Sequence, residues 1–229
     1  MQIYASVAKE GSEVDSGIRG LSFQGIIFEG VSGTGKSTLF RRLLQEQHFT
    51  GQDGGIYLSQ CYTLRMANQG CPSSLAESRL RLLKSLHDDY SSSEFAHRSD
   101  GRGSCSFIFE SFHYYLALDL LSESCQPAFV RRIDRRLMSL GARVVLLRVE
   151  PEAMIENCVR STIRHRGQSW AAFLSRYGKA ELALVNHFKR RQANLERLAA
   201  ESALPILTVD TTEQNWSEAL EKIVDFDAG

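Results

Sequence analysis

No two of the five cysteines (Cys61, Cys71, Cys105, Cys125, Cys158) stand in a Cys-x-x-Cys spacing. An odd, scattered set excludes a disulfide framework as the organising device and fits free thiols in a reducing compartment. The chain lacks an excess of either charge: 27 basic and 27 acidic residues leave a formal net charge of zero. No general field therefore draws it to nucleic acid or an anionic membrane, and any anion must be held by local arrangement. No apolar run approaches the roughly 18 residues of a membrane span, and the polar stretch after Met1 has no signal-peptide core. A protein without membrane association, in the cytoplasm, is the expectation. Histidines show no ligand spacing for zinc. No internal repeat is present, and neither an Asn-Lys-x-Asp element nor a strand ending in Asp-x-x-Gly, as in GTPases, is found.

What is present is an alternation of strand-like and helix-like segments. Strand candidates are Gln24 to Glu29, Ile56 to Ser59, Ser106 to Glu110, Ala142 to Val149 and Pro205 to Val209. Helical stretches lie at Lys36 to Gln45, Leu75 to Asp89, Pro127 to Leu140, Pro151 to Arg164 and Trp216 to Phe226, by apolar spacing or helix-opening residues. Ser169 to Glu201 reads as one long helix or two, with a break near Gly178. Strands joined by helices imply parallel pairing through right-handed crossovers. The nearly unbroken apolar run at 142–149 fits a strand covered on both faces. With Gly30-Val-Ser-Gly-Thr-Gly-Lys-Ser37 between the first strand and the first helix, the expected fold class is α/β: a P-loop NTPase three-layer sandwich with a five-stranded parallel sheet and a helical lid near residues 151–168. Residues 1–22 read as a peripheral segment before one domain at 23–229, and the Ser- and Gly-rich stretch 91–104 as a flexible insertion.

The most specific signal is Gly30-Val-Ser-Gly-Thr-Gly-Lys-Ser37, a full match to G-x-x-x-x-G-K-[ST]. At ordinary glycine frequency a chance match in a chain this long is on the order of one percent. Its position after a strand and before a helix is what the mechanism requires. Glycines let backbone N–H groups of Gly30, Ser32, Gly33, Thr34, Gly35 and the following helical turn, through Thr38, face phosphate oxygens. Lys36 is expected to reach the β- and γ-phosphates of ATP, and the Ser37 hydroxyl to ligate Mg²⁺.

Other candidates surround that loop. Glu110 ends a strand at the carboxyl edge, where open α/β sheets bind ligands, and would either hold a metal water or accept the acceptor's proton. Glu29 stands beside the loop, structural and functional roles being equally open. Arg160 and Arg164, four residues apart, share a helix face that could close over a triphosphate. His113, Phe112, Tyr114 and Tyr115 offer either core rings or a stacking surface for a planar acceptor. In Arg131-Arg132-Ile133-Asp134-Arg135-Arg136 the arginines turn outward while Ile133 and Leu137 face the core, so a solvated face is expected.

Phe28 to Leu39 resembles the phosphate loop of the nucleotide and nucleoside kinase group, thymidylate kinases especially. Glu110, the Val149-Glu-Pro-Glu152 lead into a helix bearing Arg160, Arg164 and Arg166, and Val209-Asp-Thr-Thr212 resemble that group's acidic strand end, arginine-bearing lid and adenine contact. Ser111 and Phe112 stand where the group has Arg, and Ser59 to Arg65 lacks the Arg-Glu-Pro of thymidylate kinases. The resemblance implies phosphoryl transfer from ATP·Mg²⁺ to a nucleoside, nucleotide or other small hydroxylated acceptor. Lys36, Glu110, Arg160 and Arg164 would be the catalytic set, with Ser37 and Glu110 at the metal. A nucleotide-driven switch without kinase activity is the alternative. Nucleic acid is disfavoured as a partner, and monomer and homodimer both remain open.

Overall fold

The computed structural model describes residues 22–46, 54–59, 71–92 and 104–228. The amino-terminal segment, most of the 91–104 insertion and most of Ser59 to Arg65 lie outside them. Five strands form one parallel sheet: β1 (Ser22–Glu29), β2 (Gly54–Leu58), β3 (Ser104–Glu110), β4 (Ala142–Arg148) and β5 (Ile206–Asp210), in the order β2-β3-β1-β4-β5. Each of the five expected strands is present, and the α/β fold is as read from the alternation.

Helices cover both faces. α1 (Lys36–Leu43) and α8 (Trp216–Ala228) pack on one side, where Leu39, Phe40, Leu43 and Ile223 meet Ile26, Phe28, Ile108 and Val145. On the other side α2 (Pro72–Ser92), α3 (His113–Leu120), α4 (Gln126–Met138) and α7 (Glu181–Ala200) cover Ile27, Phe107, Phe109, Val144 and Leu146. Ile26, Ile27 and Phe28 are successive residues and all fully buried. Since side chains alternate across a strand, only a sheet covered on both faces buries three in a row. Burying each such side chain contributes about 1.5–3 kcal/mol, so this central strand anchors the loop that follows it.

Of two helical stretches, one is as expected and one departs. The expected break at Gly178 is present: α6 (Gln168–Leu174) passes through a 3₁₀ turn (Ser175–Tyr177), and Gly178 takes φ +140° before α7 begins. The 151–164 stretch is not a plain α-helix. Turns lead into a π-helical run, Ile155–Arg160, and only then into α5 (Ser161–Arg166). Thr162 Oγ1 donates to the carbonyls of Cys158 and Val159 at 2.6 and 2.9 Å, drawing those acceptors toward a side chain. Such back-bonding bends helices, and π turns cluster at functional sites. The arginine cluster on α4 behaves as expected, with Ile133 and Leu137 fully buried and Arg131, Arg132 and Arg135 exposed. Asp134, inside that cluster, is fully buried and takes His113 Nε2 at 2.7 Å and the Ser202 hydroxyl at 2.7 Å. It ties α3 and α4 to the turn before β5.

Candidate functional site

β1 ends at Glu29, and the chain turns at Gly30 (φ +150°), Gly33 (φ +92°) and Gly35 (φ +86°) before α1 opens at Lys36. All three glycines are required by close approach as well as by φ, Gly30 because a Cβ there would lie 2.7 Å from the Leu147 carbonyl oxygen. A Cβ on Gly33 would lie 2.3 Å from the Asn157 carbonyl oxygen, and one on Gly35 2.3 Å from the Trp216 ring. The π-helical run and the start of α8 thus press directly on the loop. Thr34 is buried, its hydroxyl donating to Val31 O at 2.9 Å, while Ser32, Ser37 and Thr38 are half-buried. The first turn of α1 closes as Thr38 and Leu39 N–H groups reach Gly35 O at 2.9 and 3.0 Å.

Lys36 is buried and folds back over the loop, donating to Gly30 O at 2.7 Å and Val31 O at 2.8 Å. Burial pulls its ammonium from the usual 10.5 down to about 8; Glu110 and Glu29 oppose the shift, and the positive charges of Arg166 and Arg191 add to it. The Ser37 hydroxyl donates to Glu110 Oε1, which joins the loop to the end of β3. Two hard oxygen donors of this kind, with only one carboxylate, suit Mg²⁺, which takes one or two protein ligands and fills its shell with water and phosphate. Among the described residues no cluster of three His, Cys, Asp or Glu could hold a metal by itself.

Glu29 is fully buried beneath this pair. Its Oε1 accepts from the Phe112 and Tyr114 backbone N–H groups at 2.9 and 3.1 Å, so it fixes the opening of α3. Burial raises its pKa, against the pull of His113, those two N–H groups and Lys36. Between Glu110 and α3 stands Ser111, buried, at φ +62°. A non-glycine residue in that region stores strain, and such strain gathers at ligand sites. Phe112, His113 and Tyr114 are all buried core, so of the four rings read as stacking candidates only Tyr115 keeps partial exposure.

The end of β5 lies against the loop. Thr211 Oγ1 donates to Thr34 O at 3.0 Å, Asn157 Nδ2 donates to Thr212 O at 3.0 Å, and Gln214 Nε2 donates to Asn157 Oδ1 at 3.0 Å. Asn157 therefore bridges the 151–166 segment, the 211–214 turn and the glycine loop, a role that sequence gave no sign of. Arg160 and Arg164 do not reach the loop here. Arg160 forms a two-pronged pair with Glu181 at 2.8 and 2.9 Å, and Arg164 pairs with Glu156, all four side chains being about half exposed. Arg166, stacked over Trp170 at 4.4 Å, and Arg191, over Tyr115 at 4.6 Å, are the arginines whose charge is felt at Lys36.

No family model matches the chain, and no curated protein matches it significantly. Solved structures do. The YorR protein of Bacillus subtilis, in complex with phosphorylated GDP, is similar over 88% of this chain and 94% of that one, with 18% identity and a TM-score of 0.55. Shikimate kinase from Acinetobacter baumannii in complex with shikimate (15% identity, 89% and 92% covered) has a TM-score of 0.44. Deoxyadenosine kinase from M. mycoides with bound dATP (14% identity, 88% and 98% covered) has a TM-score of 0.43. At such identities the likeness to YorR is one of fold, and it agrees with the five-stranded parallel sheet and its flanking helices.

Proposed function

We propose that the chain is an ATP-dependent phosphotransferase acting on a nucleoside, a nucleotide or another small hydroxylated acceptor, in the manner of the nucleotide and nucleoside kinases. The observation that carries this reading is the meeting of Ser37, on a buried glycine loop with Lys36, and Glu110 from the neighbouring strand. Such a loop presents backbone N–H groups and a helix opening to phosphate, and the carboxylate stands where an acceptor hydroxyl would enter. In the transfer, the bond from the γ-phosphorus to its bridging oxygen breaks, ADP leaves, and the acceptor oxygen forms the new bond to phosphorus. The acceptor's proton passes to Glu110. Lys36 offsets charge on the transferring group, and Arg160 and Arg164 do so once released from their carboxylates. Ser37 would hold Mg²⁺ directly and Glu110 only through a water on the ion, which neutralises phosphate charge when bound. Among the described residues the thiols of Cys71, Cys125 and Cys158 are in no disulfide, which accords with a cytoplasmic setting.

The test is ATP consumption with Mg²⁺ against a panel of nucleosides, nucleoside monophosphates and hydroxylated small molecules, with mass detection of product. One phosphorylated acceptor, lost in Lys36→Ala by 10²-fold or more, is the expected result. ATP turnover without any phosphorylated acceptor would overturn the reading in favour of a nucleotide-driven switch.

A further inference from the structure

The facing sides of α3 and α7 carry a polar and aromatic cluster that the phosphate loop does not use. Tyr115 and Asp119 stand one turn apart on α3, and His187 and Arg191 one turn apart on α7. The Arg191 guanidinium lies 4.6 Å above the Tyr115 ring and forms an ion pair with Asp119. Tyr177 stacks on His187 with ring centroids 3.8 Å apart. α3 opens three residues after Glu110, so this face begins near the strand end where the proposed acceptor would enter.

Arg191 is mostly buried, with 17% of its side chain exposed, yet its Nη2 has no hydrogen-bond partner among the described residues. Guanidinium presents five N–H donors in a rigid fork, and the carboxylate of Asp119 meets only Nη1, leaving Nη2 without an acceptor and out of reach of solvent. Native structures pair nearly all buried donors, so an unpartnered buried donor on a held arginine marks a place where an acceptor belongs. The neighbours agree on its sign. Burial and the charges of Arg191 and Arg190 hold His187 below its usual range, and burial with Asp119 raises the Tyr115 hydroxyl. Around neutral pH both rings are therefore uncharged, and Arg191 supplies the positive charge. That charge is also felt at Lys36, where it adds to the lowering of the ammonium's pKa.

We infer that Arg191, held by Asp119 and Tyr115, is the specificity residue that selects an acceptor bearing its own anionic group, a phosphate monoester or a carboxylate, over its neutral counterpart. The inference rests on the phosphotransferase reading for the word acceptor; the anion site itself is tested by binding. An anion placed on Nη2 completes the fork of an arginine whose position is already fixed, so little side-chain ordering is required. Tyr115, beneath the guanidinium, keeps its plane in place, and Arg191→Lys would lose both that stacking and the fork geometry.

The experiment is titration calorimetry of the full chain with matched pairs: nucleoside 5′-monophosphates against nucleosides, and hydroxy acids against their amides. ATP consumption with Mg²⁺ is followed on the same pairs. An anionic member should bind at least tenfold more tightly than its neutral partner. Arg191→Ala and Arg191→Gln should weaken the anionic ligand on the order of ten- to a hundredfold while moving the neutral one less than about twofold. Arg191→Lys should recover part of the preference, and Arg190→Ala, at an exposed neighbour, should leave it intact. Selection of the monophosphates identifies a phosphate group, and selection of the hydroxy acids a carboxylate. Equal binding of both members, a preference that survives Arg191→Gln, or no binding of any anionic member overturns the proposal. Turnover of neutral acceptors with no anionic preference would remove Arg191's role and leave the phosphotransferase standing. An Arg191-dependent preference without phosphorylated product would do the reverse.

Discussion

Lys36 carries its charge at a cost that Glu110 and Glu29 only partly offset. Burial draws its ammonium down to about 8, whereas the unfolded chain keeps that proton to about 10.5. Between those values the unfolded state binds more protons, so this group makes stability rise with pH across the window. Below pH 8 the whole penalty is present, about 3 kcal/mol. Phosphate oxygens beside Nζ would reverse the balance by favouring the ammonium. ATP binding above pH 8 should therefore take up close to one proton per site, and affinity should fall as pH rises through 8 toward 9.5. Calorimetry at pH 9 in two buffers of different ionisation heat reads that uptake directly, and at pH 6.5 the uptake at Lys36 should vanish. Equal heats in both buffers at pH 9 would mean that Lys36 stays charged in the empty loop or lies away from the phosphates. The neighbouring Glu29 shows what a sequence leaves open at this scale. Its place beside the glycines is visible, but its oxygen partners are backbone N–H groups 83 and 85 residues away.

Between Met154 and Arg166 the chain was legible as a helix with basic residues, and illegible in the features that matter to the site. Periodicity cannot report a π turn, and it cannot report that Asn157 packs its carbonyl on Gly33. Arg160 and Arg164 share a face by spacing, yet each is drawn away by a carboxylate, Glu181 or Glu156. Exposed pairs of this kind contribute little, so they set a starting position without fixing it. If Arg160 leaves Glu181 to reach the triphosphate, that contribution is lost on closure. Glu181→Gln should then lower the KM for ATP about two- to fivefold. Arg160→Ala should lower kcat by 10³-fold or more, as for an arginine that meets transferring charge. Steady-state kinetics of the two variants decide the matter. Wild-type kcat in Arg160→Ala, with no gain in Glu181→Gln, would pass the closing role to Arg164 or to Arg166.

At the scale of the molecule, strand positions and the phosphate loop were legible because their signals are local: apolar runs, glycine spacing, a lysine and a serine at a helix opening. Meetings between distant residues were not. Asp134 sits among four arginines and reads as solvated, but its partners are His113 and Ser202, 21 and 68 residues away. Arg191 follows Lys189 and Arg190, and its partner Asp119 is on another helix. The loop is where such contacts converge, since β1, the π-helical run, the end of β5 and α8 all press on it. A ligand that fills the loop should accordingly stabilise the whole fold. At a free ATP concentration a hundred times Kd, linkage gives about 2.7 kcal/mol. For a domain of this size each kcal/mol moves Tm by about 2–4 °C, so ATP with Mg²⁺ should raise Tm by roughly 5–10 °C. Lys36→Ala should remove most of that rise at the same concentration. Because the net charge is zero, a polyanion such as heparin should produce no comparable effect. A rise equal in wild type and Lys36→Ala would place the nucleotide elsewhere on the surface, and no rise at all would remove the glycine loop as a triphosphate site.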